Sequence, residues 1–512
     1  MPDALEPTPV PAAAPGKVGR NAAITSVSQV ATMAVGAVLA LLVAVLVGND
    51  ARTDGFFAAY GVYSLAVVFA QAARTTVVAR LLEGRTRFEA FDQYLGAALA
   101  IGLATAVVLG PLGSLVAGLL TGDLPGEAED TARRALWLLA PAIVAQLFAG
   151  LGAAMLGALD DFLAPGLAFL CGGLVSIGVF VALEPSEGIE GLAIGLLTGS
   201  LVSAAAIAFA LVRDGWRPTR AIAARPGRIW RSVGVLVIAS LSLLIAHAGY
   251  LVALSVGGRL GEGVITAFSY SYLGFGLVQA LIVASVPMVI IGPLAQAWDR
   301  RAPSLLVDNE RVFRAGLLLL APLVAAVWLV GQEVGSALLV KFSAGEIDLT
   351  VDCFLLLMPV VVYGLVQAVP FAALLVLGRY RAIAAATALV VAVQVPLSFL
   401  ADALDSARML AVAVAVANVA NLVAAVVLVG REYPALIFPR VARALAVMAA
   451  LAAAAFGIPA ALLRALDVAG ADWLALGAGL VAYAAAVAAL LPVERDLAGR
   501  VLRAVVPARV AP

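Results

Sequence analysis

The sequence predicts an all-α, polytopic membrane protein with fourteen transmembrane helices, and three observations carry that prediction. Hydrophobic residues make up 63% of the 512 and charged residues only 12%, where a soluble domain runs nearer half and a quarter. A soluble fold of this size has nowhere to hide so much apolar surface, so lipid is its natural solvent. Fourteen long stretches lack Asp, Glu, Lys and Arg, with Arg74 the one exception, and about 20 helical residues cross a hydrocarbon core about 30 Å thick. The Lys and Arg between these stretches gather on alternate connections. The alternating ten-residue segments of a membrane β-barrel do not occur.

In order, the stretches are 21–48, 55–79, 93–121, 135–159, 162–183, 191–212, 232–258, 263–298, 315–332, 353–378, 382–401, 409–430, 444–463 and 473–493. The Pro- and Ala-rich segment before them, 1–20, reads as a disordered tail. It is not a cleavable signal, because the following apolar run is too long and lacks a small-residue cleavage site. Only Asp160 and Asp161 divide spans four and five. Joined, those spans would make one helix of about 73 Å, so the pair predicts a tight helical hairpin. Arg379, Tyr380 and Arg381 divide spans ten and eleven in the same way. With the N-terminus in the cytoplasm, cytoplasmic segments hold 24 of the 32 Lys and Arg and the opposite side seven. That is the positive-inside pattern, and one span missed early would destroy it. The expectation is a multi-pass protein of the cell (cytoplasmic) membrane with both termini cytoplasmic.

The largest polar connection between spans, 213–231, carries six Arg and separates two sets of six spans. The expected organisation is a tail (1–20), an N-lobe (21–212), a cytoplasmic linker (213–231), a C-lobe (232–430), an appended pair of spans (431–493) and a cytoplasmic C-tail (494–512). A shift of 208 sets Asp54 on Glu262, Tyr60 on Phe268 and Gln71-Ala72 on Gln279-Ala280. A shift of 218 sets Pro141 on Pro359 and Phe162 on Tyr380. Copies separated by six spans share one orientation, so their axis lies along the membrane normal and a substrate path is expected between them.

The composition excludes several classes of function. A formal net charge of zero gives no global field for nucleic acid. The single His, His247, cannot build a His-based metal site, and no nucleophile–base constellation is evident. Cys171 and Cys353 lie in apolar stretches and are expected to be buried thiols, with no disulfide framework or metal cluster. No cofactor is expected.

The polar residues inside spans are the candidates for function. A charge in the bilayer interior costs at least about 2.5–3.5 kcal/mol, which singles out Arg74. Gln71 lies one turn away on the same face. A guanidinium fork suits phosphate oxygens; the alternative is that Arg74 snorkels to the headgroups beside Arg80. His247, in mid-span, is a candidate proton relay or else a hydrogen-bonded packing residue. Asp54 is expected to cap the second helix, with ion coupling as its functional alternative. Gln146, Gln367, Gln394, Asn418 and Asn421 read as interhelical hydrogen-bonding residues.

Three segments carry a resemblance to a known family. They are Thr53-Asp54-Gly55-Phe56-Phe57-Ala58-Ala59-Tyr60, Phe162-Leu163-Ala164-Pro165-Gly166-Leu167, and the Gly-rich run from Gly274 to Gly292 with Pro287 and Pro293. Together with the two six-span lobes and the extra pair, they resemble the lipid II flippase (MurJ/MviN-like) family of the MOP exporter superfamily. The resemblance implies a transporter, not an enzyme. Its expected action is alternating-access flipping of a polyprenyl-(pyro)phosphate-linked saccharide, a precursor of peptidoglycan or another cell-envelope glycan. It implies that spans one, two, seven and eight line the cavity, which adds Gln29 and Gln279 to Arg74 and Gln71 as substrate-binding candidates. It also implies that spans thirteen and fourteen help form a groove for the lipid tail. The expected partners are that saccharide-lipid, membrane lipids and cell-envelope synthesis proteins.

The chain departs from the family where members place cations. Val67-Val68 stand in place of two adjacent Arg, Gln71 in place of a Glu, and Tyr270-Ser271-Tyr272 in place of A-D-R. The glycan is therefore left open, and two alternatives stay: a transport-inactive envelope-synthesis scaffold derived from a flippase, and a cation-coupled drug exporter of the same superfamily. The appended pair counts against the exporter, which usually has twelve spans.

Overall fold

The computed structural model describes residues 31–32, 34–82, 87–217, 226–282, 304–376, 379–429 and 432–490. Among them there is no strand. In hydrocarbon every backbone donor and acceptor must be satisfied within its own segment, which the α-helix alone does for a single span. The N-terminal half holds α1 (Ala34–Leu46), α2 (Ala51–Leu82), α3 (Arg87–Thr121), α4 (Gly126–Ala158), α5 (Leu163–Glu187) and α6 (Glu190–Arg213). The C-terminal half holds α7 (Pro226–Leu260), α8 (Val264–Ile282), α9 (Ser304–Leu338), α10 (Ala344–Val376), α11 (Tyr380–Ala403) and α12 (Arg408–Val429). Then come α13 (Glu432–Ala452), a π turn (Ala453–Gly457), α14 (Ile458–Ala465) and α15 (Ala471–Leu490). The first three of these run on as one span.

Each of the fourteen predicted stretches thus holds a helix. Among the described residues, eleven helical stretches are long and apolar enough to cross a membrane. The three stretches outside that set are the first, seventh and eighth, where α1, α7 and α8 stand. The predicted hairpin at Asp160-Asp161 is present. Asp160 takes a left-handed φ of 64°, and Asp161 Oδ1 accepts from the amides of Leu163 and Ala164 at 3.2 and 3.0 Å, capping α5.

The packing repeats at an interval of six helices. α4 packs against α2, α3 and α6, and α10 packs against α8, α9 and α12; α5 pairs with α6 as α11 pairs with α12. α4 and α10 are both 33 residues long, and α10 starts and ends 218 positions after α4. The molecule is therefore two pseudo-symmetric six-helix lobes with two further spans. The shift at α2 and α8 is different from that expected. Their starts, Ala51 and Val264, lie 213 positions apart, so Asp54 sits in a first helical turn while Glu262 precedes its helix. These two acids are not equivalent positions.

Close packing within a lobe depends on glycine. A Cβ on Gly55 of α2 would lie 2.1 Å from the Ala128 carbonyl oxygen of α4, so only a missing side chain lets these backbones approach. Cys353 is buried, but Cys171 is exposed on the outer side of α5. That corrects the expectation of two buried thiols: an apolar stretch does not say which of its faces meets lipid. The last two spans lean on α9. Phe456, in the π turn, is buried beneath Gly479, and Tyr483 Oη donates to the Leu318 carbonyl at 3.3 Å.

Candidate functional site

The lobes meet where α2 and α3 pack on α7, and α2 on α8. The seam is built in layers, beginning at the end where α2 and α8 start. Asp54 is fully buried there. Its Oδ2 accepts from the Gly263 amide at 2.6 Å, and its Oδ1 accepts from the Thr266 amide at 2.8 Å and the Thr266 hydroxyl at 2.6 Å. Asp54 therefore caps α8 of the other lobe, rather than α2 as expected. The first turn of α2 is held instead by Asp50, whose Oδ1 accepts from the Thr53 amide and hydroxyl, both at 2.8 Å. The Ala51 amide donates across the seam to Glu262 Oε1 at 3.0 Å. Each lobe thus supplies an acid that satisfies the orphan amides at the start of the other lobe's helix. Asn49 Nδ2 adds a bond to the Gly263 carbonyl at 3.3 Å, and Lys341 Nζ bonds the Leu46 carbonyl. Gly263 has a φ of 84°, and a Cβ there would meet Asn49 and Glu346 at 2.6 and 2.8 Å. The crossing needs glycine for both reasons.

Beneath these caps lies a band of rings. Phe57 of α2 meets Tyr270 of α8 edge-on at 5.1 Å between centroids, and Tyr250 of α7 stacks on Tyr272 of α8 at 4.3 Å. Such contacts add to the burial of the rings themselves and leave little room for water. Tyr250 Oη donates to Ser269 Oγ at 3.2 Å.

A polar layer follows. Ser64 Oγ of α2 lies 2.8 Å from His247 Nε2 of α7, and that nitrogen lies 3.3 Å from the Gly61 carbonyl oxygen. The Ser64 hydroxyl donates to the same carbonyl at 2.8 Å. A carbonyl only accepts and the serine proton is already committed, so the network assigns the proton to Nε2, which donates to Ser64 and Gly61. Within the N-lobe, Ser200 Oγ lies 3.1 Å from Tyr63 Oη and accepts from Gln146 Nε2 at 3.0 Å, the interhelical role expected of that glutamine. Asn418 instead bonds the Val414 carbonyl of its own helix.

Two of the six predicted site residues, Asp54 and His247, come together in this seam, on opposite lobes. Gln279 is half-buried on α8, one turn beyond Phe275. Gln71 and Arg74 lie in α2 past Ser64, Arg74 by ten residues or about 15 Å, but their side chains lie outside the described residues, as does Gln29 altogether. Sequence reasoning missed Ser64 and Thr266 as partners. Thr266 stands in the first turn of a span, where orphan amides need acceptors, but no cap residue of its own segment marks it. Nothing in the sequence signalled Ser64. Among the described residues no group of three metal-ligating side chains forms.

A family model described as "Lipid II flippase MurJ" matches residues 43–466. No curated protein matches. Among solved structures, one described as "Lipid II flippase MurJ, inward closed conformation" superposes with a TM-score of 0.73 at 14% identity, covering 94% of this chain and 99% of that one. An outward-facing multidrug resistance MATE family transporter of the MOP superfamily gives 0.61 at 16% identity, covering 80% and 94%. A MOP superfamily transporter from Pyrococcus furiosus gives 0.52 at 17% identity, covering 84% and 95%. At these identities the structures share the fold.

Proposed function

The chain belongs to the lipid II flippase MurJ family, a family of transporters, and from that premise we propose that it flips a polyprenyl-linked saccharide across the cytoplasmic membrane by alternating access. One observation carries the mechanism. Nine hydrogen bonds seen between the two six-helix lobes gather in α2 between its start and Ser64, in the turn before it, and at the end of α3 near Leu119. They clasp this end of the seam. The Lys and Arg distribution supports placing that end on the outer side, which makes it the outer gate of the proposed cycle.

In this reading the acids are gate residues and do not touch substrate. Arg74 and Gln71, farther down α2 toward the cytoplasm, would receive the phosphate, with Gln279 and Gln29 beside the path. Breaking the caps on Asp54 and Glu262 opens the outer end, and the ring band beneath them separates. His247 and Ser64 form the layer where a proton would be sensed. Loss of the family's paired Arg at Val67-Val68 favours a saccharide-lipid other than lipid II. The last two spans, leaning on α9, would guide the lipid tail.

The test uses purified protein in vesicles containing a fluorescent polyprenyl-pyrophosphate saccharide. Arg74→Ala is expected to reduce flipping at least tenfold with folding intact, and Arg74→Lys to restore part of it. Unchanged flipping in Arg74→Ala would assign that residue to the headgroups. Absence of flipping by the parent protein for every polyprenyl-linked saccharide tried would support the scaffold reading.

A further inference from the structure

The outer face of the N-lobe carries a groove of about 1080 Å³ between α3, α4 and α6. Its lining includes Leu103, Val107 and Gly110 of α3, Trp137 and Pro141 of α4, and Leu201 of α6. These stretches lie within membrane spans, and Leu103, Val107 and Trp137 are each about three-fifths exposed.

The pseudo-symmetry shows what such a face accepts, because the same face exists in the C-lobe and is covered. Leu95, Ala98 and Gly102 of α3 point into the N-lobe, and Phe313, Gly316 and Leu320, each 218 positions later on α9, point into the C-lobe; all six are buried. The same shift carries Val107 and Leu112 onto Ala325 and Val330. On α3 these positions are 62% and 46% exposed, whereas on α9 they are 7% and 4% exposed. What covers α9 is the appended pair: α13 and α15 both pack on it, and α13 also reaches α12, the counterpart of α6. A helix therefore spans in the C-lobe the place that stands open in the N-lobe.

We propose that the N-lobe groove docks one transmembrane helix of a second membrane protein, in the position that the appended pair holds on the C-lobe. The occupant is an apolar helix, since no charged side chain lines the groove. It packs closely where Gly110 leaves the wall of α3 flat, in the manner by which small residues let membrane helices approach. The docking surface is separate from the seam between the lobes, so it recruits a partner without entering the transport path.

The experiment places a photoreactive p-benzoylphenylalanine at Val107 in the full chain in cells, with Leu174 on α5 (54% exposed) as the lipid-facing control. Gly110→Leu then fills the groove. A Cβ at Gly110 meets only Trp137, at 3.8 Å, so the variant is expected to fold, and vesicle flipping checks that it does. The expected result is a discrete protein adduct at position 107 whose linkage maps inside a transmembrane span of the partner. It should be absent at position 174 and reduced at least tenfold by Gly110→Leu, with flipping by purified protein unchanged. The proposal is overturned by lipid adducts alone at position 107, by equal protein adducts at both positions, or by an adduct that survives Gly110→Leu. Failure of the parent protein to flip would strike the transport reading and leave this result standing.

Discussion

Asp54 holds three donors of the opposite lobe on one buried carboxylate, and Asp54→Ala would leave all three without a partner. Loss of an N-cap costs about 0.5–2 kcal/mol, and the burial here places the effect near the upper figure. Because those donors belong to the other lobe, the loss weakens the closed seam rather than one helix. About 2 kcal/mol corresponds to roughly a thirtyfold shift toward the open gate. A cysteine introduced at Tyr60 should then react faster from outside with a membrane-impermeant maleimide, and unchanged reactivity would remove Asp54 from the gate. For His247 the expected outcome is different. His247→Gln offers an amide nitrogen to Ser64 and Gly61, so the protein should stay folded while flipping loses its response to a transmembrane pH gradient. That Asp54 caps a helix was legible from an acid at the head of a span. That the helix belongs to the other lobe was not, because the contact joins positions more than 200 residues apart. The partner of His247 was invisible for the same reason.

Helices of this chain approach one another through missing side chains. A Cβ at Gly199 would lie 1.9 Å from Ser176 Oγ and 2.4 Å from the Gly172 carbonyl oxygen, so Gly199→Val should force α5 and α6 apart. The expected loss is about 1–3 kcal/mol, seen as a lower melting temperature in detergent. Gly178→Val, with nothing within 4 Å, is the matched control and should be nearly silent. At this scale the sequence was most readable, because hydrocarbon forces each apolar stretch to satisfy its own backbone. The ends were less so. α9 begins at Ser304, eleven residues before its apolar stretch, and takes in Asp308, Glu310, Arg311 and Arg314. A helix loses nothing by continuing into the polar layer, so charge marks the edge of the hydrocarbon and not the end of the helix. The cover on α9 and its absence from α3 left no trace in either stretch, since lipid and a neighbouring helix ask for the same apolar side chains.

Side chains of both lobes meet at the end of the seam where α2 and α8 start. Asn49 and Glu346 both reach the same point beside Gly263, one from each lobe. Asn49→Cys with Glu346→Cys, bridged by a short bifunctional thiol reagent, should stop flipping, and a reducible reagent should restore it on cleavage. Continued flipping by the bridged protein would rule out opening at this end. The small size of the caps also has an electrical consequence. Three hydrogen bonds at about 1 kcal/mol net each total about 3 kcal/mol, and a potential of 100 mV does about 2.3 kcal/mol of work on each elementary charge carried across. Moving a single charge through the bilayer is therefore comparable to the Asp54 cap, one part of the clasp, and a voltage of ordinary cellular size biases the molecule toward one face or the other. Vesicles polarised with a potassium gradient and valinomycin should turn over several times faster or slower according to the sign of the voltage, and Asp54→Ala, already unlatched, should respond less.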